Sequence, residues 1–195
     1  HDTIARHGRL DVLINNAGIP IHKQIYDVTP EDMDLQMRVN FMASVWTTLA
    51  AIPYLLRQSE GYVINVSSMA AKVAPPRETP YTAAKAAMDG FTAGLWSDLA
   101  GSGIHVALVV PGPIDTEIWG KDDTPSGYNG PKYPPKIVTD AIFAVIDSVI
   151  GGSAAGAIRM CSAASQPRIA PRWMYTTNPI IPAMISGKNV STQSG

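Results

Sequence analysis

Three short apolar runs constrain this chain more than any other feature: LDVLINN from Leu10, YVINVSS from Tyr62 and IHVALVV from Ile104. None alternates apolar with polar residues, as a strand wetted on one face would. Each reads as a strand buried on both faces, and turn-forming residues close the first and third, at Asn-Ala-Gly and at Pro111-Gly112-Pro113. Between them lie segments with helical periodicity. Buried strands alternating with helices of more than ten residues predict right-handed βαβ units, hence an α/β fold with a parallel sheet covered on both faces.

The helices follow from local signals. Thr29 is a good N-cap, Pro30 suits the first helical position, and Glu31 and Asp32 complement the helix dipole, so a long helix is expected from about Pro30 to Arg57, with Pro53 in its last turns. A second helix begins near Tyr81 and stops at Gly101 and Gly103. A third fits Lys136 to Ile150, where Ile137, Ala141, Ala144, Val145 and Ile146 give most of an apolar face, and a weaker strand is expected around Ala157 to Cys161. The cluster Gly151, Gly152 and Gly156 follows a helix rather than a strand and reads as a turn.

Ligands of such sheets bind beyond the carboxyl ends of the strands. That rule brings NNAG, SSMAA and PGPIDT to one crevice, and Tyr81, near the start of the helix after the second strand, to the same edge as Ser68. Tyr81 and Lys85 lie one helical turn apart on one face. A free phenol, with a pKa of about 10, moves protons poorly near neutrality, and a neighbouring ammonium is expected to lower that pKa. A hydroxyl, a phenol and an amine gathered there suit proton transfer to or from a substrate oxygen, but they supply no hydride.

In these segments the sequence resembles the short-chain dehydrogenase/reductase family through Thr116. Asn15 to Gly18 in NNAG, Asn40 within the next helix, Ser68 in INVSS, Tyr81 and Lys85 in YTAAK, and Pro111 to Thr116 in PGPIDT follow the family's order and spacing. Ala71 and Ala84 are small departures at positions where Gly and Ser are common. The resemblance implies a Rossmann-like doubly wound sheet and an oxidoreductase that moves hydride between NAD or NADP and a carbonyl or secondary alcohol. Tyr81 would be the general acid or base, Ser68 would hold the substrate oxygen, and Lys85 would lower the Tyr81 pKa and bind the nicotinamide ribose. Asn40 would hold a water on the proton path. Asn16, Ala17 and Gly18 would pack near the adenine-ribose side of the cofactor, Pro111, Gly112, Ile114 and Thr116 near the nicotinamide, and Asn15 would tie neighbouring strands together.

The family's glycine-rich phosphate loop finds no counterpart before Leu10. Residues 1–162 are therefore expected to be the C-terminal two-thirds of a single domain whose N-terminal strands lie upstream. The residue that would choose between NAD and NADP is expected there too. Residues 163–195 form a Pro-broken apolar tail that could close the substrate pocket, pack on a partner subunit or graze a membrane. Trp119, Tyr128 and Tyr133, after PGPIDT, are expected in a lid over the substrate.

Composition narrows the partners. With 15 basic and 16 acidic residues among 195, the formal charge of -1 gives no footprint for nucleic acid or an anionic membrane. The expected partners are a small carbonyl or alcohol and, in the full-length protein, further copies of the chain. No run reaches the length of a membrane span, and the single cysteine, Cys161, excludes an intramolecular disulfide and fits the cytoplasm. His1, His7, His22 and His105 lack metal-ligand spacing, so no metal is expected. Two other functions share these residues: a hydrolase with Ser68 as nucleophile and Lys85 as base, which lacks a G-x-S-x-G elbow, and a binding module that has lost catalysis.

Overall fold

The computed structural model describes residues 2–120, 126–150 and 158–159. Helix α1 (Asp2–His7) leads into strand β1 (Val12–Asn15), and α2 (Pro30–Met37) continues through a π-helical turn, Arg38–Met42, into α3 (Ala43–Gln58). Strand β2 (Gly61–Val66), the short α4 (Ala70–Val73), α5 (Thr79–Asp98) and β3 (Ile104–Val109) follow. Later in the chain come α6 (Lys136–Ile150) and β4 (Ile158–Arg159). All pairings are parallel, in the order β1-β2-β3-β4. The expected third helix is α6, and β4 falls within the expected last strand. Cys161, the Gly151 to Gly156 cluster and the tail over 163–195 lie outside the described residues.

Two apolar layers sandwich the sheet. On one face, Ala51 and Leu55 of α3 and Leu95 and Leu99 near the end of α5 pack on Val63, Ile104 and Val106. On the other, Ala141 and Val145 of α6 meet Tyr62, Ile64, Val66, Ala107 and Val109. Near-continuous apolar strands are what a sheet covered on both faces requires. β1 is an edge strand among the described residues, with Ile14 44% exposed.

The handedness departs from expectation. Helices α3 and α5 lie on the face opposite α6 while the strand order advances steadily. The β3-to-β4 connection therefore has the opposite hand to the two before it, not a right-handed crossover throughout. The usual preference arises where a strand feeds a helix that packs straight back onto the sheet. Here the described residues between β3 and α6 include Pro111, Gly112, Trp119, Tyr128 and Pro135 on the cleft at the sheet's carboxyl edge, so α6 does not follow β3 directly.

The helical run Pro30–Gln58 corrects a second expectation. Its mean hydropathy of 1.4 over a membrane-length window passes the composition test for a spanning segment. In this fold its buried positions, Gln36, Asn40, Ser44, Thr48, Ala51 and Leu55, face the protein, and Asn40 and Thr48 make hydrogen bonds there. The start of the run is fixed by a capping box in which the Asp32 amide donates to the Thr29 hydroxyl and the Thr29 amide to the Asp32 carboxylate. Lys23 binds the same carboxylate at 2.6 Å and holds it below the usual carboxylate pKa, tying the loop after β1 to the helix.

A polar ladder sets the register beneath the sheet's carboxyl edge. Asn15 and Asn65 are register partners, and the Asn15 amide donates to Asn65 at 2.8 Å and to Thr48 of α3 at 3.0 Å. Asn65 in turn donates to Thr92 of α5 at 2.8 Å, and Thr47 donates to Asn15. The expected tie at Asn15 is present. A slip of one residue would turn both amides towards the opposite, apolar layer.

Candidate active site

The three segments expected at the carboxyl edge do meet. They wall one cleft of about 990 Å³, lined by Asn16, Ala17 and Gly18 after β1, Ser67 to Ala70 after β2, and Pro111 to Ile114 with Thr116 after β3. Backbone bonds fix their mutual positions: the Ser67 amide donates to Val109 and the Met69 amide to Pro111, each at 2.8 Å. Helix α5 starts at the same edge and carries Tyr81 and Lys85 into the wall.

Ser68, Tyr81 and Lys85 form a graded set. The Ser68 side chain stands beside the Tyr81 phenol and pulls its pKa down, while the Ser68 hydroxyl accepts from the Ala70 amide at 3.1 Å. One turn along α5, Lys85 is buried, and its ammonium donates to the Val66 carbonyl at 2.8 Å and lies 5.8 Å from the centre of the Tyr81 ring. Ser67 takes the structural place expected of a strand-end residue, its hydroxyl donating to the Lys85 carbonyl. Ser68 thus stands beside Tyr81, and Lys85 is bonded to Val66. That arrangement does not pair a serine nucleophile with a lysine base.

The expected lowering of the Tyr81 pKa is not what the structure gives. Desolvation pushes the phenol up to about 12, with Ser68 pulling the other way and the Glu78 charge adding to the rise. Burial likewise pulls Lys85 down to about 8, against the opposing effect of Asp89. The spacing that brings the amine near the ring also buries both groups, and burial outweighs their proximity.

Asn40 sits in the π-helical turn, fully buried behind the cleft. Its side-chain oxygen accepts from the Ile19 amide at 2.8 Å and its nitrogen donates to the Ile19 carbonyl at 2.9 Å, with a further bond to Gln36. This clamps the segment after NNAG. Gly18 fills the narrow gap between Asn40 and Lys85: an added Cβ would fall 2.9 Å from the Asn40 oxygen and 3.9 Å from the Lys85 nitrogen. Asn40 does not line the cleft itself.

The chain after PGPIDT folds down over the opening. The Asp115 amide donates to Tyr133, the Tyr133 amide to Pro113, and the Trp119 indole to the Ile114 carbonyl at 2.6 Å. Trp119 and Tyr128 stack at 5.6 Å and both line the cleft, with the Lys132 ammonium 4.5 Å from the centre of the indole ring. Tyr133 serves the backbone bridge to Ile114 and lies outside the cleft wall. Sequence reasoning missed two further lining residues, His22 and Glu78, whose side chains approach to 3.6 Å. No local pattern marks either; only the tertiary fold brings them together. Among the described residues no group of three or more His, Cys, Asp or Glu could hold a metal.

Comparison with known proteins agrees with this geometry. The sequence matches the family profile described as short chain dehydrogenase over residues 1–126. It is 33% identical over 143 residues to an uncharacterized oxidoreductase of Staphylococcus saprophyticus, covering 73% of this chain and 60% of that protein. It is 43% identical over 120 residues to the 11-beta-hydroxysteroid dehydrogenase 1A of Arabidopsis thaliana, covering 60% and 33%. Among solved structures it resembles a short-chain dehydrogenase from Streptomyces avermitilis, with a TM-score of 0.67 at 26% identity over 75% of this chain and 60% of that one. It also resembles a gluconate 5-dehydrogenase from Burkholderia cenocepacia in complex with NADP and tartrate, with a TM-score of 0.59 at 31% identity over 63% and 49%. The chain spans at most 60% of the length of these relatives. A parallel sheet with a Ser68, Tyr81 and Lys85 cleft at its carboxyl edge, matched over most of its length by one family, makes this chain a member of the short-chain dehydrogenases.

Proposed function

We propose that the full-length protein is an NAD- or NADP-dependent oxidoreductase that interconverts a carbonyl and a secondary alcohol in this cleft. The observation that carries the reading is that Ser68 and Tyr81 line the same cleft wall with Lys85 buried one turn away. The small residues Ala17, Gly18 and Gly112 suit a large planar cofactor, because little side chain stands between it and the backbone, and an added Cβ at Gly112 would meet only open space. Asn16, Ala17 and Gly18 would hold its adenine-ribose side, Lys85 its nicotinamide ribose, and Pro111, Gly112, Ile114 and Thr116 its nicotinamide. When bound, the reduced cofactor supplies hydride to the carbonyl carbon.

The chain's own residues then manage the oxygen and the proton. Ser68 donates a hydrogen bond to the substrate oxygen as negative charge develops there. Tyr81, with its pKa pushed up, stands protonated near neutral pH, which is the form that can donate. The carbon–oxygen double bond becomes a single bond, the Tyr81 proton completes the hydroxyl, and Tyr81 regains a proton from solvent on the Lys85 and Asn40 side. Trp119 and Tyr128 cover the substrate and exclude water. The NADP complex of the Burkholderia structure and the named dehydrogenase activity of the Arabidopsis relative support the reading by likeness.

The test is Tyr81→Phe in the full-length protein, followed by nicotinamide absorbance with a carbonyl panel. Loss of the transferable proton should lower kcat by roughly 10²–10⁴-fold while cofactor affinity changes little. Retention of more than about a tenth of wild-type kcat removes Tyr81 from the mechanism.

A further inference from the structure

Lys85 brings the positive charge to the cleft wall, and its burial works against that charge. Asp89 works for it. Asp89 follows Lys85 by four residues on α5, as Lys85 follows Tyr81, so the three form a ladder along one helix face. Side chains on a helix lean towards its N-terminus, which sets Asp89 towards Lys85 and Lys85 towards the cleft.

A surface role does not explain Asp89. Its side chain is 12% exposed, and both carboxylate oxygens are buried without a hydrogen-bond partner among the described residues. A carboxylate in that position is costly unless a cation compensates it. Lys72, at the end of α4, is one such cation: its ammonium stands 2.7 Å from the Asp89 Oδ2, outside hydrogen-bond geometry, on a side chain that is 43% exposed. Helix α4 begins two residues after Ser68, whose hydroxyl accepts from the Ala70 amide, and the Thr82 hydroxyl of α5 donates to the Ala70 carbonyl at 3.3 Å. Asp89 therefore stands between a buried cation at the site and a wetted one outside it, and ties the Ser68 segment to the helix that bears Tyr81 and Lys85.

Other elements packed on α5 bring charged or titratable groups of their own, and these are engaged elsewhere. Glu31 is exposed, Asp32 is bound to Lys23, and Asp34 pairs with Arg38 in the open. His105 of β3 lies 5.3 Å from Tyr62, ring to ring, in the layer that α6 covers. On the cleft wall, Glu78 acts on Tyr81 and Glu117 is exposed. The carboxylate that acts on Lys85 is that of Asp89.

We propose that Asp89 is a positioning residue for the reaction: its buried carboxylate keeps Lys85 charged, and Lys72 sets how much of the Asp89 charge Lys85 feels. This rests on the oxidoreductase reading above and adds a tuning pair to it. Asp89 touches neither substrate nor cofactor. It acts through Lys85, and Lys72 draws on the same carboxylate from the solvent side, so the two cations compete for one anion.

The experiment uses the full-length protein with ¹³C-labelled lysine and reads the Lys85 titration by NMR, Lys85→Met identifying its signal. Asp89→Asn, which keeps the volume, should move the titration to lower pH by about half a pH unit or more. Lys72→Met should move it to higher pH, because the competing cation is gone; at a half-exposed position, it keeps the test in force where Asp89→Asn does not fold. The alkaline limb of kcat for ketone reduction should follow the Lys85 titration in both variants, since Tyr81 is reprotonated from the Lys85 side. A purely structural ion pair would not separate the two variants in this way. Displacement of both titrations in one direction, a displacement smaller than about half a pH unit in Asp89→Asn, or no upward displacement in Lys72→Met overturns the proposal. Opposite displacements of the Lys85 signal with an unmoved kcat profile overturn it too, leaving the oxidoreductase reading intact. No turnover of any carbonyl with either nicotinamide overturns that reading and this proposal with it.

Discussion

Replacing Lys85 by Met should alter the way stability responds to alkaline pH. The buried ammonium gives up its proton at about 8 in the folded protein, against a reference value of 10.5. Between those values the unfolded chain binds more protons than the folded one, so folding stability rises with pH across that window. At about 1.4 kcal/mol per pH unit, the gain is about 2 kcal/mol by pH ~9.5 and about 3 kcal/mol by the top of the window. Tyr81, whose folded pKa of about 12 exceeds its reference value of 10.0, acts with the opposite sign, removing stability only above about pH 10. A range of about pH 7 to 9.5 therefore isolates the lysine. Lys85→Met fills similar space without a charge and leaves the Val66 carbonyl unpaired, a cost of about 1–3 kcal/mol that does not vary with pH. Urea unfolding of the full-length wild type and variant at several pH values should give stability differences that shift by about 2 kcal/mol in favour of wild type across the range. Two curves that stay parallel within about 0.5 kcal/mol would show that Lys85 is not desolvated as its position implies.

Two further outcomes test the surroundings of the site. Gly18→Ala should cost about 1–3 kcal/mol and raise KM for the nicotinamide, because the new Cβ reaches Asn40 at 2.9 Å and that side chain is already bound to Ile19; unchanged urea midpoint and KM would contradict the tight fit. Exposed Trp46, Leu49 and Leu56 on α3 support a homo-oligomer, so the double variant Trp46→Asp with Leu49→Asp should sediment as a monomer while wild type does not; a monomeric wild type ends that idea.

What the sequence revealed tracks what is local. The strands at Gly61 and Ile104 show themselves because burial on both faces leaves a continuous apolar run, the strand at Val12 carries the same apolar pattern although Ile14 is 44% exposed, and α6 is legible from its apolar face and bounding residues. Ser68, Tyr81 and Lys85 meet because the carboxyl-edge rule and one helical turn bring them together. The direction of the Tyr81 pKa shift was not legible, since spacing reports proximity and says nothing of how much water is lost. Nor were His22 and Glu78, which come from different loops and are joined by a backbone bond between Lys23 and Arg77. The reversed hand of the last crossover was not legible either, because no periodicity encodes which face of the sheet α6 covers. The π-helical turn around Asn40 interrupts a segment that reads as one uniform helix.

That turn acts as a correction of angular phase. Gln36, Asn40, Ser44 and Thr48 are buried at intervals of four residues. In a regular helix of 3.6 residues per turn, each such interval overshoots a full revolution by about 40°, so three of them would swing Thr48 about 120° away from Gln36. A turn bonded from i to i+5 advances less per residue, and it takes up part of that drift. The upstream half can then aim Asn40 at Ile19, with Gln36 bonded to Asn40, while the downstream half still points Thr48 at Asn15. One helix thereby serves two surfaces, the loop that borders the cleft and the polar ladder under the sheet.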